Sequence, residues 1–282
     1  MRQHTINVRG KLFSLNPAAV MGIVNLTPDS FYSESRKNDE ESLRDRIRQI
    51  VEEGGNIIDI GACSSRPDAP IVSQEEEMKR LRNGLQIILK TGCNLPLSVD
   101  TFRADVAKMC VEEYGVAIIN DISSGQMDKN MFQTIAQMQV PYIMMHMRGT
   151  PETMQQQTKY NDLVAEMFLY FSVRINQLRE LGVNDIIIDP GFGFAKTTEQ
   201  NYELLNRLED FQEFDLPILV GVSRKSMIYK HLGITPQDAL NGTTVINTIA
   251  LTKGAEILRV HDIKPCVEAV RIYDKLKENA IL

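Results

Sequence analysis

Eight short apolar runs recur along the chain at nearly even intervals, and each closes on a residue able to take part in chemistry. The runs are Val20–Val24, Asn56–Ile60, Leu97–Val99, Val116–Ile119, Val140–Met145, Ile186–Ile188, Pro217–Val222 and Glu256–Val260. Their closing residues are Asn25, Asp59 or Gly61, Asp100, Asn120, His146, Asp189, Ser223 and His261. Runs this short, rich in Ile and Val and apolar on both faces, suit parallel strands buried between helices and a packed interior. Eight of them alternating with helices predict an α/β chain folded as a TIM (β/α)8 barrel, in which all strand C-termini open on one mouth. Residues scattered along the sequence then converge there.

The intervening segments carry helical spacing. Asn38–Glu53 sets Leu43, Ile47, Ile50 and Val51 on one face and stops at Gly54-Gly55. Ser73-Gln74-Glu75-Glu76 has capping-box spacing and opens a helix with Met78, Leu81, Leu85, Ile88 and Leu89 inward. Further helices fit Arg103–Tyr114, Asp128–Met138, Asn161–Leu181, Thr198–Phe211, Ala239–Lys253 and Pro265–Glu278. Before the first run, Thr5–Leu15 alternates around Arg9-Gly10-Lys11, which reads as a β-hairpin placed to plug the N-terminal end of the barrel. No linker or low-complexity tract divides the 282 residues, so one domain is expected over 1–282, with the hairpin at 5–15 and the barrel at 20–278.

Composition narrows the function. With 43% apolar and 24% charged residues and no Trp, the chain has the profile of a globular enzyme. A net charge of −6 argues against a nucleic-acid partner. No apolar run approaches the ~18 residues of a membrane span, and the start lacks a signal-peptide core, so no membrane partner and a cytoplasmic location are expected. Cys63, Cys93, Cys110 and Cys266 lie far apart without a C-x-x-C pair, which suggests neither a zinc ribbon nor a disulfide framework.

At the strand ends, Asp100, Asn120 and Asp189 offer acceptors and one amide, a set suited to a flat heterocycle bearing several N–H donors. Asp and Asn in these places can also cap the following helices. Arg259 and His261 stand two apart on a strand and point the same way, and Asn25 neighbours them once the barrel closes, which makes an anion pocket. His146 either lines the mouth or is a satisfied polar residue at a strand end. Two long connections on the mouth side, Leu26–Lys37 and Ala62–Val72, are expected to act as lids.

Met21-Gly22-Ile23-Val24-Asn25-Leu26-Thr27-Pro28-Asp29-Ser30-Phe31 resembles the opening signature of the dihydropteroate synthases. The likeness continues in Ile58-Asp59-Ile60-Gly61, Ser64-Ser65-Arg66-Pro67, Ser98-Val99-Asp100-Thr101 and Ile118-Ile119-Asn120-Asp121-Ile122-Ser123. It resumes in Asp189-Pro190-Gly191-Phe192-Gly193-Phe194-Ala195-Lys196, Gly221-Val222-Ser223-Arg224-Lys225-Ser226 and Arg259-Val260-His261-Asp262. These blocks keep the family order from residue 21 to 262, with one at nearly every strand end.

The resemblance implies a transferase of folate biosynthesis that condenses (7,8-dihydropterin-6-yl)methyl diphosphate with 4-aminobenzoate and releases diphosphate. By likeness, Asp100, Asn120, Asp189, Lys225, Arg259, Met144, Phe194 and Gly221 bind the pterin. Asn25, Arg66, Arg259 and His261 take the diphosphate, and Asn25 also meets the one implied cofactor, Mg²⁺. Ser226, Phe31, Pro67, Phe194 and Ser65 form the place of 4-aminobenzoate. Asp100, Lys225, Arg259 and Asn25 carry the catalysis, and a homodimer is implied, which the apolar residues Val245, Ile246, Ile249, Ala250 and Leu251 would permit.

The second lid departs from the family pattern Gly-Gly-Glu-Ser-Thr-Arg-Pro-Gly, reading Gly61-Ala62-Cys63-Ser64-Ser65-Arg66-Pro67-Asp68. A thiol replaces the usual carboxylate, and nothing nearby in the sequence lowers a thiol pKa, so Cys63 is not read as a nucleophile. Two alternatives stand beside the synthase: a pterin-binding module of a corrinoid methyltransferase, and a catalytically weak paralogue suggested by the altered lids.

Overall fold

A computed structural model of the chain describes residues 4–26, 36–63 and 71–279. Strands β1 (Thr5–Val8) and β2 (Lys11–Ser14) pair antiparallel, Ile6 opposite Phe13. Arg9 and Gly10 between them both take positive φ, 53° and 76°, which is what a two-residue turn needs to follow the twist of the strands. The eight parallel strands follow as β3 (Ala19–Asn25), β4 (Ile57–Gly61), β5 (Leu97–Asp100), β6 (Ile118–Asp121), β7 (Tyr142–Met145), β8 (Ile186–Asp189), β9 (Leu219–Val220) and β10 (Ile257–Val260). Their lateral order is β8-β7-β6-β5-β4-β3-β10-β9, and a parallel bridge between Ile188 and Ile218 joins the two outer strands. The expected TIM barrel is therefore the observed fold.

Helices α1 (Arg36–Glu52), α2 (Gln74–Lys90), α3 (Ala104–Tyr114), α4 (Met131–Met138), α5 (Leu163–Glu180) and α6 (Thr198–Asn206) each follow one strand. Both α7 (Ser226–Leu232) and α8 (Leu240–Thr252) follow β9, and α9 (Ile263–Glu278) follows β10. Ser73 caps α2 as its spacing suggested, its hydroxyl accepting from the Glu76 N–H at 3.2 Å. Helix α4 starts later than Asp128, because that carboxylate is committed elsewhere: Oδ2 accepts the Ala104 N–H at 2.7 Å and so caps α3. Helix α6 stops at Asn206 and gives way to tighter 3-10 turns over Leu208–Phe214. Helix α7 has no counterpart in the sequence reading, since seven residues closed by Gly233 at φ 66° are too few to display a period.

Alternation along the strands sorts side chains into two cores. Ile58, Ile60, Val99, Ile119, Tyr142, Met144, Ile188, Val220, Leu258 and Val260 point outward and pack with Ile47, Ile50, Leu81, Leu85, Phe171 and Ile263 from the helices. Met21, Ile57, Ile118, Ile143, Ile187, Leu219 and Ile257 point inward and close the lower barrel together with Ile6, Val8 and Leu15 of the hairpin region. The hairpin thus plugs the barrel floor. Among the described residues no helix is long and apolar enough to cross a membrane, and none of the four cysteines is in a disulfide.

Ile6 is 1% exposed at the centre of that plug. Ile6→Ala is expected to cost about 2–5 kcal/mol of unfolding free energy by removing buried methyl groups over a core that cannot collapse. Urea denaturation measures it, and a loss below ~1 kcal/mol would mean that the hairpin does not seal the barrel.

Candidate active site

Two positions beyond four residues of the apolar floor, the inward face turns polar. Ile57 leads to Asp59, Ile118 to Asn120, Ile187 to Asp189 and Ile257 to Arg259, while Ile143 leads to Met145 and Leu219 to Gly221. Strand register aligns the rim as well: Asn25 lies opposite Gly61, Gly61 opposite Asp100, and Asp100 opposite Asn120. The site is one storey of the barrel.

Arg259 spans this storey. Its Nε donates to Asp59 Oδ2 at 2.6 Å and its Nη2 to Asp100 Oδ2 at 3.1 Å. Asp59 is fully buried and accepts two more hydrogen bonds, from Ser98 Oγ at 2.6 Å and Asn120 Nδ2 at 3.2 Å. Burial pushes the Asp100 carboxyl upward, and the Asp59 charge adds to the rise against the pull of Arg259. Arg259 itself is held above its ordinary value, since the attraction of Asp59 and Asp100 outweighs its burial.

Lys225 stands across the cavity at the start of α7. Its Nζ donates to the Phe192 carbonyl at 2.6 Å and lies 4.8 Å from the centre of the Phe194 ring. Burial lowers it to about 8, with Asp189 opposing the shift, so it is charged at neutral pH. Asp189 accepts the Gly191 N–H at 2.7 Å, and its pKa is raised by burial against the pull of Lys225. Gly221 leaves the space between these groups, because a Cβ there would sit 3.8 Å from Arg259 Cβ and 3.9 Å from Lys225 Nζ. Asp100, Asn120, Asp189, Lys225, Arg259, Phe194 and Gly221 are therefore brought together.

The anion side is built on β3 and β10. Arg46 of α1 donates to both Ile23 O, at 3.2 Å, and His261 O, at 2.7 Å, and ties the two strand ends that carry Asn25 and His261. Ser223 Oγ lies 3.0 Å from His261 Nδ1 and accepts the His261 N–H at 3.1 Å, which fixes the ring against β9. Ser226 is the first residue of α7, beside Lys225.

Three expectations need correction or completion. Met144 faces the helix layer and is fully buried in the outer core, so Met145, in phase with Asp189, is the methionine on the mouth side. His146 does not line the mouth: it is 1% exposed, its Nδ1 lies 3.0 Å from Lys196 Nζ, and Tyr170 meets its ring edge-on at 4.7 Å. Phe31, Ser65, Arg66 and Pro67 lie outside the described residues. Asp59, set down in the sequence reading only as one of two possible strand ends, is the group that sequence reasoning missed. Its phase with Asn120, Asp189 and Arg259 is the signal that could have found it. Cys63 is half-buried with its thiol pushed up by burial, as expected of an unreactive cysteine.

Burial also lowers His261 to about 4, from an ordinary value near 6.5, with Arg259 adding to the shift. The folded chain keeps it neutral while the unfolded chain takes up a proton below about 6.5. Its contribution to stability is thus complete above about 6.5 and drains away as pH falls toward about 4. His261→Gln is expected to flatten the fall of Tm across that interval. A slope equal to that of the native chain would mean that His261 is not held neutral.

Known proteins share this architecture. A family model of pterin binding enzymes matches residues 21–261. A dihydropteroate synthase of Synechocystis sp. is 40% identical over 260 residues, covering 91% of this chain and 89% of that protein. The structure of Yersinia pestis dihydropteroate synthase with a sulfonamide drug superposes with a TM-score of 0.88 at 35% identity, over 98% of this chain and 100% of that one. Xanthomonas albilineans dihydropteroate synthase, solved with 4-aminobenzoic acid, gives 0.89 at 32% identity over 100% of both chains. With its barrel, its strand-end polar storey and these matches, the chain belongs to the pterin binding enzymes, among the dihydropteroate synthases.

Proposed function

We propose that the chain joins (7,8-dihydropterin-6-yl)methyl diphosphate to 4-aminobenzoate, releasing diphosphate and 7,8-dihydropteroate. The observation that carries this reading is the convergence of Asp100, Asn120, Asp189, Lys225 and Arg259 at one end of the barrel, above its apolar floor. Carboxylates and an amide match the N–H donors of a pterin, Lys225 matches a ring acceptor, and the planar Arg259 guanidinium can stack on the ring.

An aryl amine is a weak nucleophile, so the C–O bond to diphosphate breaks first and the electron-rich dihydropterin spreads the positive charge left behind. Asp100 and Asp189 are fixed before the reaction and gain most when that charge develops, which is electrostatic catalysis by preorganised groups. Arg259 and His261 stabilise the departing anion. The amine nitrogen then bonds to the exocyclic carbon and gives its proton to solvent. No covalent enzyme intermediate is needed.

Among the described residues no cluster of three or more His, Cys, Asp or Glu could cage a metal. The amide oxygen of Asn25 at the end of β3 is a single hard donor, which fits Mg²⁺, an ion that keeps most of its waters and binds phosphate oxygens. When bound there, Mg²⁺ supplies charge neutralisation to the leaving diphosphate. Phe31, Ser65, Pro67, Phe194 and Ser226 are assigned to the 4-aminobenzoate place, and Arg66 to the diphosphate, on the family resemblance.

Two alternatives lose ground. The relatives reported above are synthases rather than corrinoid-linked modules, and the complete polar storey does not favour a weak paralogue. A direct test is to supply both substrates and Mg²⁺ and follow diphosphate and dihydropteroate together. Stoichiometric release is expected. Diphosphate release that ignores omission of 4-aminobenzoate, with no pteroate formed, would overturn the reading. Arg259→Ala or Asp100→Asn is expected to lower kcat/KM by well over tenfold, more than ~1.4 kcal/mol of transition-state binding.

We also propose a homodimer through the outer face of α8. Of the five apolar residues considered, Ile246, Ala250 and Leu251 are buried against the barrel, while Val245 and Ile249 are 51% and 37% exposed. Ile272 and Leu276 of the adjacent α9 are also exposed, at 72% and 64%. Apolar residues four apart on two neighbouring helices suit a helix-to-helix interface. The double substitution Val245→Asp, Ile249→Asp is expected to give a monomer in sedimentation analysis, and an unchanged mass would place the interface elsewhere.

A further inference from the structure

Asp59 has no role in the reaction as described, yet it holds two of the groups that do. It is fully buried directly above the apolar barrel floor, and ordinary chemistry makes that a costly place for a carboxylate. Both of its oxygens are engaged: Oδ1 by the Ser98 hydroxyl at 2.6 Å, Oδ2 by Asn120 Nδ2 at 3.2 Å and by Arg259 Nε at 2.6 Å. A core residue whose only task was packing would not be an anion here.

The bond to Asn120 has a directional consequence. The two ends of a side-chain amide are nearly the same size, so packing alone does not decide which way it faces. An ionised carboxylate is an acceptor only, and it therefore demands the nitrogen of Asn120 and turns the oxygen away from itself. The polarity that Asn120 offers to a bound ring is set from behind. Arg259 is governed in the same manner. With Nε on Asp59 and Nη2 on Asp100, its guanidinium plane is fixed by two carboxylates on two different strands. Without Asp59, the guanidinium could turn both donors onto Asp100 and leave its place over the ring.

We propose that Asp59 is the positioning residue of the pterin side, setting the amide orientation of Asn120 and the plane of Arg259, and so deciding which ring donor and acceptor pattern is accepted. The choice of ligand rests on the function proposed above, whereas the geometry does not. Asp59 is not a catalytic residue, since it acts through Asn120 and Arg259.

The test compares the native chain with Asp59→Asn, which keeps the shape but removes the charge and turns one of the two acceptor oxygens into a donor. Steady-state kinetics on both substrates and thermal melting are measured side by side. The KM for the pterin diphosphate is expected to rise by about tenfold or more, the loss of hydrogen bonds to a charged group, while that for 4-aminobenzoate stays within about twofold. A pterin-diphosphate KM within about twofold of native, or an equal rise in both KM values accompanied by a fall in Tm, would overturn the proposal.

If Asp59→Asn does not fold, Ser98→Ala carries the test, because it loosens the carboxylate without removing it. A rise in the pterin-diphosphate KM of about two- to fivefold supports the role, and an unchanged KM overturns it. Should the native chain make no dihydropteroate, the proposed function falls. Titration with 6-hydroxymethyl-7,8-dihydropterin, followed by the ring's own fluorescence, then tests Asp59 alone: binding about tenfold weaker in Asp59→Asn supports the role, and equal binding overturns it.

Discussion

The ion pair that joins Arg259 to Asp59 and Asp100 is the constraint on which the rest of the site depends. Asp59, Asp100 and Asp189 share a chamber with Arg259 and Lys225, sealed below by Ile6, Val8, Leu15 and the inward strand residues, and Lys196 also acts on Asp189. Water cannot screen these charges from the dry side. Burial raises Asp100 and Asp189, while Arg259 pulls both back toward the charged form. A ligand that develops positive charge in this chamber favours the charged form of both carboxyls, while a neutral one does not. In the reaction proposed above, such a site would favour the charged state along the path, which is what catalysis by differential binding requires.

A partition of charge between the two halves of the rim completes this arrangement. Strands β5, β6 and β8 contribute Asp100, Asn120 and Asp189, and the opposite strands β3 and β10 contribute Asn25, Arg259 and His261. In the reaction proposed above, this arrangement would stabilise cation on one side and anion on the other, with the breaking bond along the separation of charge. Burial and the neighbouring Arg259 keep His261 neutral, and the Ser223 hydroxyl 3.0 Å from Nδ1 holds its ring in place.

Much of this was legible in the sequence because polar residues at the ends of apolar runs stand out. Asn25, Asp100, Asn120, Asp189, Arg259 and His261 were all visible in that way, and the barrel itself followed from eight runs of similar length. The phase of the strands was not. Strands buried on both faces carry no alternation, so Met144 and Met145 look alike until register with Asp189 tells inside from outside. Asp59 fell to the same ambiguity, because the run ending in Ile60-Gly61 offers two candidate ends. His146 was open for a different reason: its partner Lys196, itself nearly fully buried and lowered to about 7, belongs to the next strand-end loop, fifty positions away.

Where the second long connection departs from the family pattern, the substituted residue meets apolar surface. Cys63 packs into a mouth-side apolar cluster with Phe102, Met127 and Met145, where a thiol is a better neighbour than a carboxylate. The far root of the same loop lies close by, and the Cys63 thiol meets the Val72 backbone there. Arg103 donates to Val72 O at 2.6 Å and pairs with Glu77, a fully buried carboxylate that also accepts the Thr101 hydroxyl at 2.7 Å. Thr101 follows Asp100 directly. The anchor of the loop and the Asp100 carboxylate therefore share the end of β5, and Cys63 is tied to both, through the Val72 backbone and through the charges of Glu77, Arg103 and Asp100.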